Sequence, residues 1–372
     1  MNAEHLLTHF DRLADAPDAI PRLRRFILDL AVRGKLVEQD PNDEPASELL
    51  KRIAAEKARL VKAGEMKKRK PFAPVEQGEQ PFVAPSCWAA TRLAFIAECL
   101  DYMRKPVNGT EREQRIANKS QSELFPYFGA TQQQGWIDDY IFDEELVLLG
   151  EDGVPFFEPL RKKAYLIAGK FWVNNHAHVF RTILVSHPYL VHYLNVFDYS
   201  GRVVGATRSK LNQAKALDIP IMLPPLAEQH RIVAKVDELM ALCDRLEAAR
   251  KERETTRNRL AAASLARLSA PAPDPAVFQS HTASALNNLA PLTTRPDQIK
   301  ALRQTILSLA VRGNLVEQDP NDEPAAELLK RIRGWRSRAI AQKKIRAPRK
   351  PLAPIKNEES PYSRPRAVHV KL

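Results

Sequence analysis

Residues 30–53, LAVRGKLVEQDPNDEPASELLKRI, recur at 309–332 as LAVRGNLVEQDPNDEPAAELLKRI, and only Lys35/Asn314 and Ser47/Ala326 differ. A looser likeness runs from Leu7 to Val75 against Leu286 to Ile355, with one residue inserted in the second copy, and reaches the tails KPFAPV and KPLAPI. The spacing of about 279 residues is far beyond the period of a solenoid repeat, so the chain holds a duplicated unit with a large domain between its copies. Each copy predicts the same local structure. An apolar helix (Leu23, Phe26, Ile27, Leu30, Ala31; then Leu302, Ile306, Leu307, Leu309, Ala310) ends at Gly34 or Gly313, suited to a left-handed cap. After the loop VEQDPNDEP, Pro45 or Pro324 suits the first turn of a second helix, ASELLKRI or AAELLKRI. The near-identical, exposed-looking loop QDPNDEP suggests that both copies face the same kind of partner, although recent duplication alone leaves copies alike.

Between the copies, LPPLAEQHRIVAKVDELMALCDRLEAAR begins at Leu223. Pro224 and Pro225 forbid a helix before them and suit its start, and Glu228 lies in the first turn, where the helix dipole favours an acid. Ile232, Val236, Leu239, Cys243 and Leu246 then alternate steps of four and three, the seam of a helix that packs lengthwise on another. The seam fades through Lys251–Arg259 and returns at Leu260, Leu265 and Leu268. No proline or glycine intervenes before Pro271, so the helix has room for roughly 40 residues, about 60 Å at ~1.5 Å each. That is a spacer rather than the core helix of one small domain; an amphipathic helix broken in its charged middle is the plainer alternative.

The net charge of +12 is concentrated. Lys51–Pro71 holds nine Lys/Arg and two Glu, and Lys330–Lys350 holds ten Lys/Arg and no acid, so the remainder is net acidic. Clustered cations of this kind gain affinity for nucleic acid by releasing phosphate counterions; a solvated lysine-rich helix is the alternative. No apolar run approaches the ~20 residues that span a bilayer, and the acidic, polar opening MNAEHLLTHFDRLADAPD is unlike a secretory signal. Cys87, Cys99 and Cys243 form no CxxC pair, as in a reduced cytoplasmic protein without a membrane partner.

Residues 86–222 alternate aromatic and β-branched positions with turn signals, as in YIFDEELVLLGEDG and KAYLIAGKFWVNNHAHVFRTIL, which predicts short twisted strands with some helix. The expected fold class is α+β: one mixed strand-rich domain, long coiled-coil-type spacer helices and duplicated helical segments. The expected division is 1–80 (repeat, copy 1), 81–221 (strand-rich domain), 222–270 (spacer helix), 271–285 (Pro/Ala/Ser linker), 286–355 (repeat, copy 2) and 356–372, a tail resembling the truncated start of a second such domain.

Several stretches resemble the specificity subunit of type I restriction–modification systems: GATQQQGWIDDYIFDEELVLLGEDG (129–153), FWVNNHAHVFR (171–181), ATRSKLNQAKALDIPIMLPPLAEQHRIVAKVDELMALCDRLE (206–247) and the repeated LAVRGKLVEQDPNDEPA. The resemblance implies a non-catalytic subunit that binds double-stranded DNA. It further implies methylation subunits that supply S-adenosylmethionine chemistry, and motor-nuclease subunits that use ATP and Mg. Family members carry two target-recognition domains, each followed by a long helix, the helices running antiparallel as a ruler. This chain has one such domain, one such helix and a second opening repeat, so it reads as a half-length form. Another copy or another specificity chain would complete it, and a homodimer would favour a palindromic split target. The alternatives are a truncated remnant that binds the methylation subunit without directing modification, and the specificity chain of a fused restriction–methylation system.

The sequence itself offers no chemistry of its own. It lacks the glycine-rich cofactor turn and the Asn/Asp-Pro-Pro-aromatic loop of a DNA methyltransferase, and it has no Walker loop. A magnesium nuclease built on Asp143, Glu151 and Asp152, or zinc on His176 and His178, is disfavoured because these acids fall in turns and no further ligand has suitable spacing. No cofactor or metal of its own is therefore expected. DNA readout suits the polar clusters better, since glutamine and asparagine pair with adenine and arginine or lysine with guanine. The candidates are Arg104, Lys105 and Arg112; Thr131, Gln132, Gln133 and Gln134; Asn174, Asn175 and His176; and Arg208 with Lys210 as phosphate contacts. For each cluster the plain alternative is a solvated turn or, at 174–176, satisfaction of buried backbone.

Overall fold

The computed structural model describes residues 16–205, 209–270, 275–316, 319 and 321–347. The chain divides into two compact units, Met1–Ala248 and Ala249–Leu372.

In the first unit, helix α1 (Ala19–Val32) stops where Gly34 takes φ +69°. The Gly34 N–H donates to Ala31 O (3.3 Å) and the Lys35 N–H to Leu30 O (2.9 Å), the paired bonds of a Schellman cap. Glycine is doubly required here, because a Cβ would lie 2.7 Å from Pro85 Cγ. Helix α2 (Ala46–Lys62) begins one residue after Pro45, and its first free N–H, on Ala46, donates to Cys87 O (3.0 Å). Ala46, Leu49 and Ile53 enter the core. The chain then runs without regular structure through 67–76, as expected of a proline-rich tail, but it is tied down. The buried Arg92 guanidinium donates to Ala73 O (2.8 Å), Pro74 O (3.2 Å) and Glu79 (2.7 Å).

The strand-rich region starts at β1 (Ala89–Arg92) and ends at β12 (Pro220–Leu223), which pair antiparallel from Ala89↔Leu223 to Arg92↔Pro220 and so bring its two ends together. Between them follow α3 (Leu93–Ile96), β2 (Ala97–Cys99), α4 (Gly109–Ile116), β3 (Phe125–Phe128), β4 (Gln133–Ile137), β5 (Phe142–Asp143) and β6 (Leu146–Gly150). Next come β7 (Ala164–Ile167), β8 (Lys170–Val173), β9 (Ala177–Thr182), α5 (His187–Val196), β10 (Val203–Val204), β11 (Lys210–Leu211) and α6 (Gln213–Leu217). Two four-stranded sheets result, β2-β9-β6-β7 and β4-β3-β8-β5, antiparallel except for the parallel β3–β8 pair. The continuous apolar run LVLLG of β6 is buried on both faces. Val147 and Leu149 join the core that holds α5, whereas Leu146 and Leu148 pack with Phe128, Phe142 and Phe171 of the second sheet.

Helix α7 (Leu226–Ser269) is continuous for 44 residues, so the charged stretch 251–259 does not break it; lysine, glutamate and arginine are good helix formers. The boundary between the units falls within it. One core contains Ile20, Ile27 and Ile53 of copy 1, Leu93, Tyr189 and Leu223 of the strand-rich region, and Ile232, Val236 and Cys243 of α7. Three segments that the sequence separates by character therefore share one hydrophobic core.

The second unit is helical among its described residues, with α8 (Pro275–Asn287), α9 (Leu289–Leu292), α10 (Pro296–Val311) and α11 (Ala325–Ala341). The expected irregular linker 271–285 is corrected over 275–285: Pro275 sits at the helix start, where a missing N–H costs nothing, and no proline follows inside. Leu268, Ala285 and Leu309 form a small core with Phe278. The mixture of sheets and helices is the α+β class that the patterning predicts.

Candidate nucleic-acid interface

The predicted polar residues separate into those held inward and those turned to solvent. Arg104 is held inward. Its guanidinium donates to Glu151 (2.8 Å) and Ala177 O (2.6 Å) and pairs with Asp101 (3.2 Å). Asp101 is the hub of this network: it also accepts from Val179 N–H (3.0 Å) and Gln213 Nε2 (2.8 Å) and meets His178 Nδ1 at 2.6 Å. His178 Nε2 faces Leu211 O at 2.8 Å, so both ring nitrogens have a partner. Burial works against the Asp101 carboxylate, but the His178 hydrogen bond and charge, the Arg104 charge and the Gln213 amide outweigh it and lower its pKa to about 2. Asp101, Glu151 and His178 lie close enough to ligate an ion, their ligand atoms being within 4.8 Å of one another. Arg104 already bridges the two carboxylates and both imidazole nitrogens are engaged, so this donor set fits an internal ion network better than a metal.

Lys210 rests on the edge of the same network, its ammonium 3.0 Å from Glu151 and half exposed. Arg208 lies outside the described residues. Asn174 is buried and its Oδ1 accepts the His176 N–H (2.8 Å), as expected if this asparagine serves the backbone. Asn175 is exposed, and His176 Nδ1 meets Asp152 at 2.8 Å.

The outward group gathers around the second sheet. Gln132, Gln133 and Gln134 are exposed in the β3–β4 hairpin, with Thr131 half-buried beside them. The hairpin turns through a Gly129 N–H to Gln132 O bond (3.1 Å), and β3 shifts register at Tyr127/Phe128, an irregularity that re-aims the side chains next to it. Arg112 on α4 stacks over the Tyr127 ring at 4.9 Å. Asn108 caps α4 by accepting the Glu111 N–H (2.8 Å). Lys105 is exposed; its carbonyl accepts the Trp172 indole N–H (2.7 Å), which pins the 104–108 loop to β8.

Sequence reasoning passed over three neighbours on this sheet. Trp136 and Tyr140 are exposed aromatics, and the Lys170 ammonium sits 4.7 Å from the Tyr140 ring centroid. The readable signal was GWIDDY, where two rings flank a pair of acids at the end of a short strand.

The long helix is anchored by residues whose role is structural. Glu228, fully buried, accepts from Trp88 Nε1 (3.0 Å) and Gln39 Nε2 (3.0 Å), joining copy 1, the strand-rich region and the first turn of α7. Gln229, also buried, donates to Pro224 O (3.0 Å) and accepts the Ser186 N–H (2.9 Å). Of the expected seam, Ile232, Val236 and Cys243 are buried and Leu239 partly so, whereas Leu246 is 45% exposed. Arg24 of α1 reaches along the helix to Asp244 (2.6 Å) and Glu247 (3.0 Å).

The sequence that builds this module and helix is similar to that of known proteins. Residues 107–254 match the family model described as type I restriction modification DNA specificity domain. The chain is 37% identical over 365 residues to the type I restriction enzyme EcoAI specificity subunit of Escherichia coli, covering 93% of this chain and 60% of that protein. It is 36% identical over 374 residues to the EcoEI specificity subunit, with the same two coverages, 93% and 60%. The chain belongs to the family of type I restriction–modification specificity subunits, and spans about 60% of the length of these curated relatives. Among solved structures it resembles the type I system S subunit from M. genitalium (12% identity, TM-score 0.36, 69% of this chain and 57% of that one). It also resembles the HsdS subunit from Thermoanaerobacter tengcongensis (15% identity, TM-score 0.30, 66% and 52%). No helix among the described residues is long and apolar enough to cross a membrane.

Proposed function

We propose that this chain is a DNA-specificity subunit that reads one half of a split target through residues 81–221 and recruits methylation subunits through the repeats and the long helix. The kinship with specificity subunits along 93% of the chain carries the reading. Methyl transfer from S-adenosylmethionine, and ATP- and Mg-dependent translocation and cleavage, belong to partner methylation and motor-nuclease subunits. Readout falls to the exposed polar side chains of the second sheet. Gln133 and Gln134 suit adenine, Arg112 and Lys105 suit guanine or phosphate, and Asn175, His176 and Lys210 are further candidate contacts. Arg104 supports these loops from inside rather than touching DNA.

Completion by a second such unit, a homodimer included, is favoured by what each repeat leaves bare. Copy 1 exposes Leu23 and Phe26 of α1, although Leu309, matching Leu30 on that same side of the repeat, is buried in copy 2. The remnant reading predicts a complex without selectivity. In the assembled complex with cognate methylation subunits, Gln133→Ala relaxes base preference at one position by about 1–3 kcal/mol, whereas Lys210→Ala weakens all sequences alike. A competition assay over randomised duplexes measures both; a complex that selects no sequence would sink the proposal, and the reverse pattern would reject the residue assignments.

A further inference from the structure

A cavity of about 760 Å³ runs between α2 and the chain at 66–75, away from the residues assigned to DNA. One wall is a stripe of α2, Leu50, Ala54, Ala58 and Val61, spaced by four, four and three and so sharing one helix face. It differs from the stripe Ala46, Leu49 and Ile53 that enters the core. Phe72 and Phe95 contribute aromatic surface opposite and beneath it. From Leu50 to Val61 the stripe is about 16 Å long at ~1.5 Å per residue, or three helical turns.

The rim is cationic. Lys62, Lys67, Lys68 and Lys70 are exposed along it, and Lys67 lies 4.3 Å from the Tyr102 ring centroid. Arg69 donates to Cys99 O (3.1 Å), and the half-buried Lys57 donates to Ala94 O (2.8 Å) and Phe95 O (3.1 Å), so both cations are fixed by carbonyls rather than acids. Burial first, and then the neighbouring Arg69 charge, hold Lys57 below the ordinary lysine range. Among the residues lining the cavity Glu98 is the one acid, and it is buried against Arg181 (3.0 Å). The trough thus offers aliphatic surface inside and unanswered positive charge at its lip. A DNA duplex could neutralise the lip but has nothing to put on an aliphatic floor.

We propose that this trough docks an acidic amphipathic helix of the methylation subunit, its apolar side chains at i, i+3 or i+4 and i+7 lying on the α2 stripe and its carboxylates meeting the rim lysines. The inference rests on the recruitment reading above. Binding of the purified methylation subunit to the full chain without DNA, measured by titration, separates the two. If the unaltered chain binds no methylation subunit, recruitment itself fails. If it does bind, Ala58→Trp, which fills the trough, weakens the affinity about tenfold or more. The triple change Lys67→Glu, Lys68→Glu, Lys70→Glu does likewise and flattens its salt dependence. Ala54→Glu, at an exposed position, serves if Ala58→Trp lowers the melting temperature. Unchanged affinity in variants with unaltered melting temperature would overturn the proposal. So would a rim variant that loses DNA binding by the chain alone while keeping the methylation subunit.

Discussion

The two copies of the repeat are nearly the same sequence in opposite surroundings. In copy 1, Val32, Leu49 and Ile53 are 3%, 0% and 0% exposed; their counterparts Val311, Leu328 and Ile332 in copy 2 are 68%, 45% and 48% exposed. The reverse holds on the other side of the first helix, where Phe26 is 58% exposed in copy 1 and its counterpart Thr305 is buried at 9%. The local folds agree nonetheless, down to the glycine caps at φ +69° and +71°. Local sequence therefore sets the helices, caps and loop, and the neighbouring core decides which apolar stripe is used. Copy 2 thus exposes the stripe that copy 1 packs against the strand-rich module and the first turns of the long helix, and contiguous apolar faces commonly mark interfaces.

The most forceful way to break this comparison is to cut the same leucine in both places. Leu49→Ala removes a fully buried side chain and should cost the first unit about 2–5 kcal/mol, whereas Leu328→Ala should cost the monomer about 0.5 kcal/mol or less. Urea unfolding with separate probes for the two units checks both, and equal losses would erase the distinction. Acid separates the regions next. Asp101 is a carboxylate with its pKa lowered to about 2 on folding, so its stabilisation is fully present above its unfolded value near 4 and is lost as pH falls from there through 2. About 2 kcal/mol of the first unit's stability should vanish in that window and reappear as flat pH dependence in Asp101→Asn. Unfolding followed by near-UV circular dichroism from pH 5 to 2 measures it. Glu228→Ala should cost about 1–3 kcal/mol, since the Trp88 and Gln39 donors lose their acceptor inside the core. The smallest effect sharpens the likeness instead. At the end of α11 the left-handed cap position that Gly64 fills in copy 1 is Lys343, at φ +54°, so Lys343→Gly should stabilise the second unit by roughly 1 kcal/mol. A calorimetric rise confined to that unit is the expected result.

What could be read from the chain follows from range. The long helix was legible because two prolines mark its start and no breaker follows for over forty residues. The caps were legible because glycine at a helix end has few other uses. The helix at 275–287 was not, since proline, alanine and serine read as linker although a proline at the first position is compatible with a helix. The ion network was invisible for another reason: Asp101 and His178 are 77 residues apart, and nothing in either neighbourhood announces the other. For the same reason the inward placement of Arg104, in a loop rich in polar residues, could not be read from its neighbours. The exposure of Gln132–Gln134 was readable because three consecutive amides suit no core.

Methylome sequencing of cells that carry this chain with its methylation subunit, beside cells expressing Gln133→Ala, is the most direct trial of the central proposal. Adenine methylation confined to one defined split sequence, broadened at a single base position by the substitution, is expected. Methylation that is absent, or whose sequence pattern is the same with and without this chain, would contradict it.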